Sequence, residues 1–463
     1  MAGSRATARL SQGSVLKAVL SLAIPSMLAQ FVNVAYGIVD RIYIGNLPEV
    51  GSVALGGVGV CGPLTTIVSS FAFLIGLGGA PLLAIRLGEG DEKGAKKILS
   101  NALVMLVGVA VLLTLIVAVW GNNFLVWFGA TKELFPYASE YLKVYNYGTF
   151  FALMAAGLNC FIIAQGRAGL GMVTSLIGAV SNIALDPLFI FVFNMGVQGA
   201  ALATVLSQMF SAVFALVVLF CKKDLVNLSL GGYDFKLALR MLALGVSPFL
   251  IIATDSLMLL ALNSVLANYG GDMGGMYVSA ATIMLSFMQV VTMPLGGITS
   301  GTQPLLGFNY GAGNVERVKS SQRTIVFVAL GYTVVMFIFS MFGADAFVGI
   351  FNAEGQLREI SVRFIRIYTA MIIPLALQYA FVDGLTALGI AKLSVVLSML
   401  RKIVIMLPLT LLLPTFGGAE WALYAEPIAD LASAIISTTA YLLVINRILR
   451  KRQQKLEEYH TAN

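Results

Sequence analysis

Long apolar stretches broken by short polar turns run through this chain from one end to the other. A helix needs about 20 such residues to cross a bilayer. Stretches of that kind fall near residues 15–45, 50–84, 96–120, 137–165, 168–194, 197–221, 236–268, 275–307, 320–344, 360–388, 392–414 and 419–446. The pattern predicts an all-α integral membrane protein with twelve transmembrane helices. The first, second, seventh and eighth stretches are longer than a bilayer needs, so they must tilt, kink or project beyond it. The polar breaks also repeat. At an offset of 223 residues Pro25 recurs as Pro248, Gly78 as Gly301, Pro81 as Pro304, Gly88 as Gly311, Gly90 as Gly313, Tyr145 as Tyr368 and Gly166 as Gly389. Most side chains between these positions differ, so what is duplicated is the punctuation that sets where helices bend and stop. Two six-helix lobes follow, at 1–224 and 236–446, with a linker at 225–235 and a basic tail at 447–463. An even number of spans makes both lobes start on the same side, so they are related by a pseudo-two-fold along the membrane normal.

Composition points the same way. The chain is 59% hydrophobic and 11% charged, with a mean hydropathy of +0.90. A soluble domain carries roughly 25% charged residues. Most of the 29 lysines and arginines, Arg86, Lys96, Arg167, Arg317 and Arg452 among them, lie at span ends on the same side as both termini. Basic loops stay in the cytoplasm, which places both termini there in a plasma (inner) membrane. The net charge of +7 reflects that bias and does not point to a nucleic-acid partner. The first apolar stretch is too long for a signal-peptide core and is expected to be retained. Cys61, Cys160 and Cys221 are too scattered for a disulfide framework or a metal motif, and the single histidine, His460, is in the tail. Histidine-based metal sites and proton relays in the core are thereby excluded, and no cofactor is expected.

Ionised side chains inside a bilayer cost at least about 2.5 kcal/mol each, so those that persist need a reason. Here they do not follow the repeat. Asp40 corresponds to Asn263 and Asp186 to Leu409, whereas Asp255 corresponds to Val32, Asp383 to Cys160 and Arg401 to Gly178. In the first lobe, Asn182 and Asp186 are four apart and share a helix face. Pro187 cannot donate to the Ile183 carbonyl, which frees an acceptor beside the carboxylate. With Asp40 on span 1 and Thr204 on span 6, these groups form an oxygen-rich pocket suited to Na+ or to a shared proton. Pro25, on the same helix as Asp40, reads as a hinge or as a static bend. In the second lobe, Asp255, Asp383, Arg401, Lys402, Glu426 and Asp430 form a polar cluster that is either a set of structural ion pairs or a second functional site. Gly76-Leu77-Gly78-Gly79 has no phosphate-loop consensus and predicts close helix packing.

Several segments resemble the multidrug and toxic compound extrusion (MATE) family. They are Val39-Asp40-Arg41-Ile42-Tyr43-Ile44-Gly45, Arg86-Leu87-Gly88-Glu89-Gly90, Asn182-Ile183-Ala184-Leu185-Asp186-Pro187 and Gly199-Ala200-Ala201-Leu202-Ala203-Thr204. Ala425-Glu426-Pro427-Ile428-Ala429-Asp430 resembles the bacterial MepA-like branch. The resemblance spans essentially the whole chain. It implies a monomeric antiporter, not an enzyme, whose lobes form a V around a cavity and which exports organic cations or amphipathic compounds in exchange for H+ or Na+. It also implies that Asp40, Asn182, Asp186 and Thr204 form the first-lobe cation site, with Tyr36 beside it. Two rivals make different demands. A lipid-linked glycan flippase calls for a strongly cationic cleft, whereas the candidate charges here are mostly acidic. An intramembrane aspartyl enzyme using Asp40 and Asp186 calls for a Gly-x-Gly-Asp motif at one of those aspartates, and neither has it; the chain's one such string, Gly88-Glu89-Gly90-Asp91, lies in the polar turn after the second stretch.

Overall fold

The structure is a computed structural model that describes residues 10–11, 13–45, 47, 51–128, 130–222, 224–229, 231–351 and 354–462. Arg5 and Arg9, and the side chains of Arg41, Lys455 and His460, lie outside the described residues. The first lobe contains α1 (Val15–Gly45), α2 (Gly51–Gly88), α3 (Glu92–Trp127), α4 (Phe135–Ala164), α5 (Ala168–Pro187) and α6 (Gly196–Cys221). The second contains α7 (Phe235–Tyr269), α8 (Gly274–Gly311), α9 (Val315–Phe342), a two-part α10 (Gly355–Tyr368 and Ile372–Ala387), α11 (Ala391–Met399, continuing to Leu412) and α12 (Ala425–Ala462). Among the described residues, ten helices are long and apolar enough to cross a membrane, and the bent α10 makes eleven. The continuous helix α7 occupies the remaining place in a twelve-helix, two-lobed fold.

The repeated punctuation has a backbone cause. Gly90 and Gly313 both have φ +75°, and Gly166 and Gly389 both have φ +76°. Each glycine ends a helix in the left-handed region, which a side chain would disfavour.

The predicted span at 360–388 is two helices meeting at a 48° bend. Arg358, Glu359, Arg363 and Arg366 explain the correction, because so many charges cannot all enter hydrocarbon. The first part is amphipathic. It buries Ile360, Phe364, Ile365 and Tyr368, and it turns its arginines outward, where Arg358 pairs with Asp345 and Arg363 with Glu420.

The lobes meet through α1 and α2 on one side and α7 and α8 on the other. Backbones touch at the end that carries Arg86 and Arg317. A Cβ at Gly88 would overlap the Phe308 carbonyl, and one at Gly311 would overlap the Ile85 carbonyl. These two glycines are repeat partners, so the pseudo-two-fold axis passes between them. Further along, Gly78 lies against the α7 backbone at Met241 and Gly245. Toward the opposite end, a Cβ at Gly37, Gly59, Gly62 or Gly275 would meet nothing within 4 Å.

The cores are exchanged at the basic end. Met241 and Leu244 of α7 are buried in the first-lobe core with Leu83, Phe161 and Leu219. Ala18, Val19 and Leu22 of α1 are buried with Leu305, Leu306 and Val318 of the second lobe. Beyond Pro25 and Pro248, each helix rejoins its own lobe: Ile44 packs with first-lobe residues, and Met258 and Leu262 with second-lobe ones. The linker is likewise packed. Leu225, Val226 and Leu228 are part of the first-lobe core, Gln165 bonds both the N–H and the carbonyl of Val226, and Arg167 pairs with Asp224.

Candidate functional site in the first lobe

Asn182 and Asp186 are one turn apart on the face of α5 that meets α1 and α6, and both are buried, at 2% and 0% exposure. The Asn182 side-chain amide donates to Asp186 Oδ1 at 3.2 Å and approaches Thr204 Oγ1 at 3.5 Å. The Thr204 hydroxyl donates to the Ala200 carbonyl at 3.1 Å, which leaves its lone pairs turned toward the pocket. Asp40, on α1, brings its carboxyl beside that of Asp186. Tyr36, one turn earlier, lies within electrostatic range of Tyr145, Asp40 and Asp186. The structure therefore brings together all five residues singled out in this lobe. Immediately after Pro187 the helix widens into a π turn over Leu188–Val192, which the sequence did not predict. Turns of this type recur at functional positions because they redirect side chains and loosen the backbone ladder.

Two carboxyl groups brought this close repel when both are ionised, and an added positive charge between them relieves the repulsion. Asp186 Oδ2 and Asn182 Oδ1 are buried without a hydrogen-bond partner among the described residues. Hard oxygen donors of this kind are the chemistry that a small cation such as Na+ prefers.

Tyr141 and Tyr145 were missed at the sequence level. They are one turn apart on α4, both are buried, and their rings stack with centroids 6.1 Å apart. The Tyr141 hydroxyl lies near Thr204, and that of Tyr145 near Gln208 and Ser69. They form the pocket wall opposite α1. Their spacing of four was visible, and Tyr145 is a repeat position, but aromatic residues in apolar helices usually signify packing alone.

The second-lobe charges separate into three groups rather than one cluster. Arg401 is almost fully buried and donates to Asp430 Oδ1 at 2.8 Å and to Glu426 Oε1 at 2.5 Å. It lies in a second π segment, Leu400–Met406. Lys402 pairs with Asp255, whose side chain is 52% exposed. Asp383 belongs to neither group; it accepts from the Thr299 hydroxyl at 2.5 Å, and Gln303 on α8 lies near it.

Comparisons with known proteins agree with this architecture. The MatE family model matches residues 25–188 and 248–412, one match per lobe, beginning at the two prolines. The multidrug export protein MepA of Staphylococcus aureus (strain N315) is 25% identical over 435 residues, covering 93% of this chain and 94% of its own. MepA of Staphylococcus saprophyticus is 25% identical over 439 residues, covering 93% and 95%. A multidrug resistance MATE family transporter in an outward-facing conformation superposes with a TM-score of 0.89 at 23% identity, covering 96% of this chain and 99% of its own. A family model that recurs at the spacing of the internal repeat, together with the shared two-lobed fold, places the chain in the multidrug and toxic compound extrusion family, on its MepA-like branch.

Proposed function

We propose that the protein is a secondary active efflux transporter that exports organic cations or amphipathic compounds in exchange for H+ or Na+ by alternating access. The observation that carries the reading is the placing of the half-buried Asp40 beside the fully buried Asp186. The pair links α1 to α5, and its carboxyl oxygens are the kind of group that takes up either a proton or a small cation. One shared proton removes one of the two negative charges and keeps α1 against α5. Loss of the proton leaves two adjacent carboxylates that repel and favour separation. The ion therefore favours one arrangement of the helices, and coupling requires substrate to favour another. Pro25 lies where α1 passes from the second-lobe core to the first, so movement between the lobes must be absorbed near it. Each inward charge contributes about 2.3 kcal/mol per 100 mV of membrane potential.

The charge bias supports an inner-membrane protein with both termini in the cytoplasm, and the closed basic end then leaves the cavity facing outward. One chain contains both lobes, which supports a monomer. The test is purified protein in liposomes, with pH and Na+ gradients imposed separately and efflux of an ethidium-like dye measured. Wild-type flux should follow at least one gradient, and Asp40→Asn or Asp186→Asn should abolish it in folded protein. Flux indifferent to both gradients overturns the coupling reading.

A further inference from the structure

Beyond its apolar stretch, α12 continues as a basic helix on which Arg447, Arg450 and Lys451 are exposed. Arg452 differs: its side chain is only 11% exposed. Its guanidinium donates through Nη2 to Glu89 Oε1 at 2.7 Å and to the Gly311 carbonyl at 2.6 Å. Through Nε it donates to the Tyr310 carbonyl at 3.1 Å, and it sits 5.5 Å from the Tyr310 ring centroid. Tyr310 and Gly311 end α8 in the second lobe, where helix carbonyls lack intrahelical partners and favour a cation. Glu89 directly follows α2 in the first lobe and also pairs with Arg86 at 3.0 Å. The arginine thus bridges the lobes at the Gly88–Gly311 contact on the pseudo-axis.

The bridge is not duplicated. Glu89 corresponds to Ala312 in the repeat, and the first lobe has no helix equivalent to the end of α12, because α6 stops at Cys221 and the chain turns into the linker. We propose that Arg452 and Glu89 form a latch that holds the cytoplasmic side shut while the cavity faces outward, and that it must open before substrate can load. Separating α2 from α8 pulls Glu89 away from Arg452, while Arg452 keeps its two carbonyls on α8. The latch therefore breaks between the lobes and stays attached to the second.

The inference rests on the alternating-access reading, and the test separates the two. Spin labels replace the exposed Lys96 and Lys319, which occupy repeat-equivalent positions, in full-length protein in nanodiscs. Interlobe distances are then measured with and without an ethidium-like dye. Arg452→Ala and the milder Glu89→Gln should each raise the ratio of long to short distances by about tenfold, the scale of one partly exposed charge-assisted hydrogen bond. The exchange of Glu89→Arg with Arg452→Glu should recover part of that shift. A wild-type distribution that responds to dye while both single variants match it overturns the latch alone. A wild-type distribution that never moves overturns alternating access and the latch with it. Should Arg452→Ala misfold, Glu89→Gln decides the matter.

Discussion

The buried group around Arg401 offers a test of how charge is balanced inside the second lobe. One guanidinium faces two carboxylates, and all three are at most 4% exposed. Asp430 receives two contacts, 2.8 Å from Nε and 2.7 Å from Nη2, whereas Glu426 receives one at 2.5 Å. Glu426 Oε2 and Asp430 Oδ2 have no hydrogen-bond partner among the described residues. Replacing Arg401 with Met leaves two buried acids uncompensated, and breaking a buried pair in this way costs about 3–5 kcal/mol. Glu426→Gln removes the surplus negative charge and leaves a one-to-one Arg401–Asp430 pair, so its cost should stay within about 1 kcal/mol. Asp430→Asn removes the better-bonded partner and should fall between them. The triple variant Arg401→Met, Glu426→Gln, Asp430→Asn should regain most of the loss from Arg401→Met, because no buried charge remains. The assay is thermal unfolding of detergent-purified protein, followed by size-exclusion recovery after graded heating. If Glu426→Gln proves as damaging as Arg401→Met, both acids are required in ionised form, and the surplus-charge argument is wrong.

Other consequences can be checked on the same preparations. Gly88→Ala places a methyl on the Phe308 carbonyl and should push α2 from α8, lowering thermal stability and lengthening the Lys96–Lys319 distance; an unchanged distance would contradict the close contact. Pro25→Ala and Pro248→Ala should each slow dye efflux severalfold without lowering expression, since both remove a weak point where a helix changes lobes; unaltered rates would show the bends to be static. Arg358 beside Asp345 holds that carboxyl below its ordinary range. A depressed folded-state value means that any contribution to stability is present above the unfolded value, about 3.9. It is lost only as pH falls through the folded value. Asp345→Asn should therefore leave the pH profile of transport between pH 5 and 8 unchanged.

Much of this was legible in the chain because charge in a bilayer is costly. Asp40 and Asp186 stood out against the apolar background, Asn182 followed from its spacing to Asp186, and the glycines at φ > 0 marked the repeat. What escaped was carried by residues with an ordinary alternative reading. Tyr141 and Tyr145 look like packing in an apolar helix until Thr204, Gln208 and Ser69 are brought beside their hydroxyls. Arg452 counts as one more basic residue at a span end until folding closes α2 on α8. Leu225, Val226 and Leu228 sit in a polar-looking linker, and only the surrounding first-lobe core shows them to be buried. Arg363 and Arg366 are the opposite case: they were legible, and taken alone they argue that the tenth stretch could not be one straight span.

The exchange of α1 and α7 between the two cores bears on how the protein is made. During synthesis the first six helices leave the ribosome without Met241 and Leu244, so the first-lobe core stays incomplete until α7 arrives. The inner half of α1, with Ala18, Val19 and Leu22, has no place to dock until α8 and α9 follow. Neither lobe is therefore a self-sufficient folding unit, although each resembles a complete six-helix bundle. Two separately expressed halves, divided within the linker, should accumulate only when produced together.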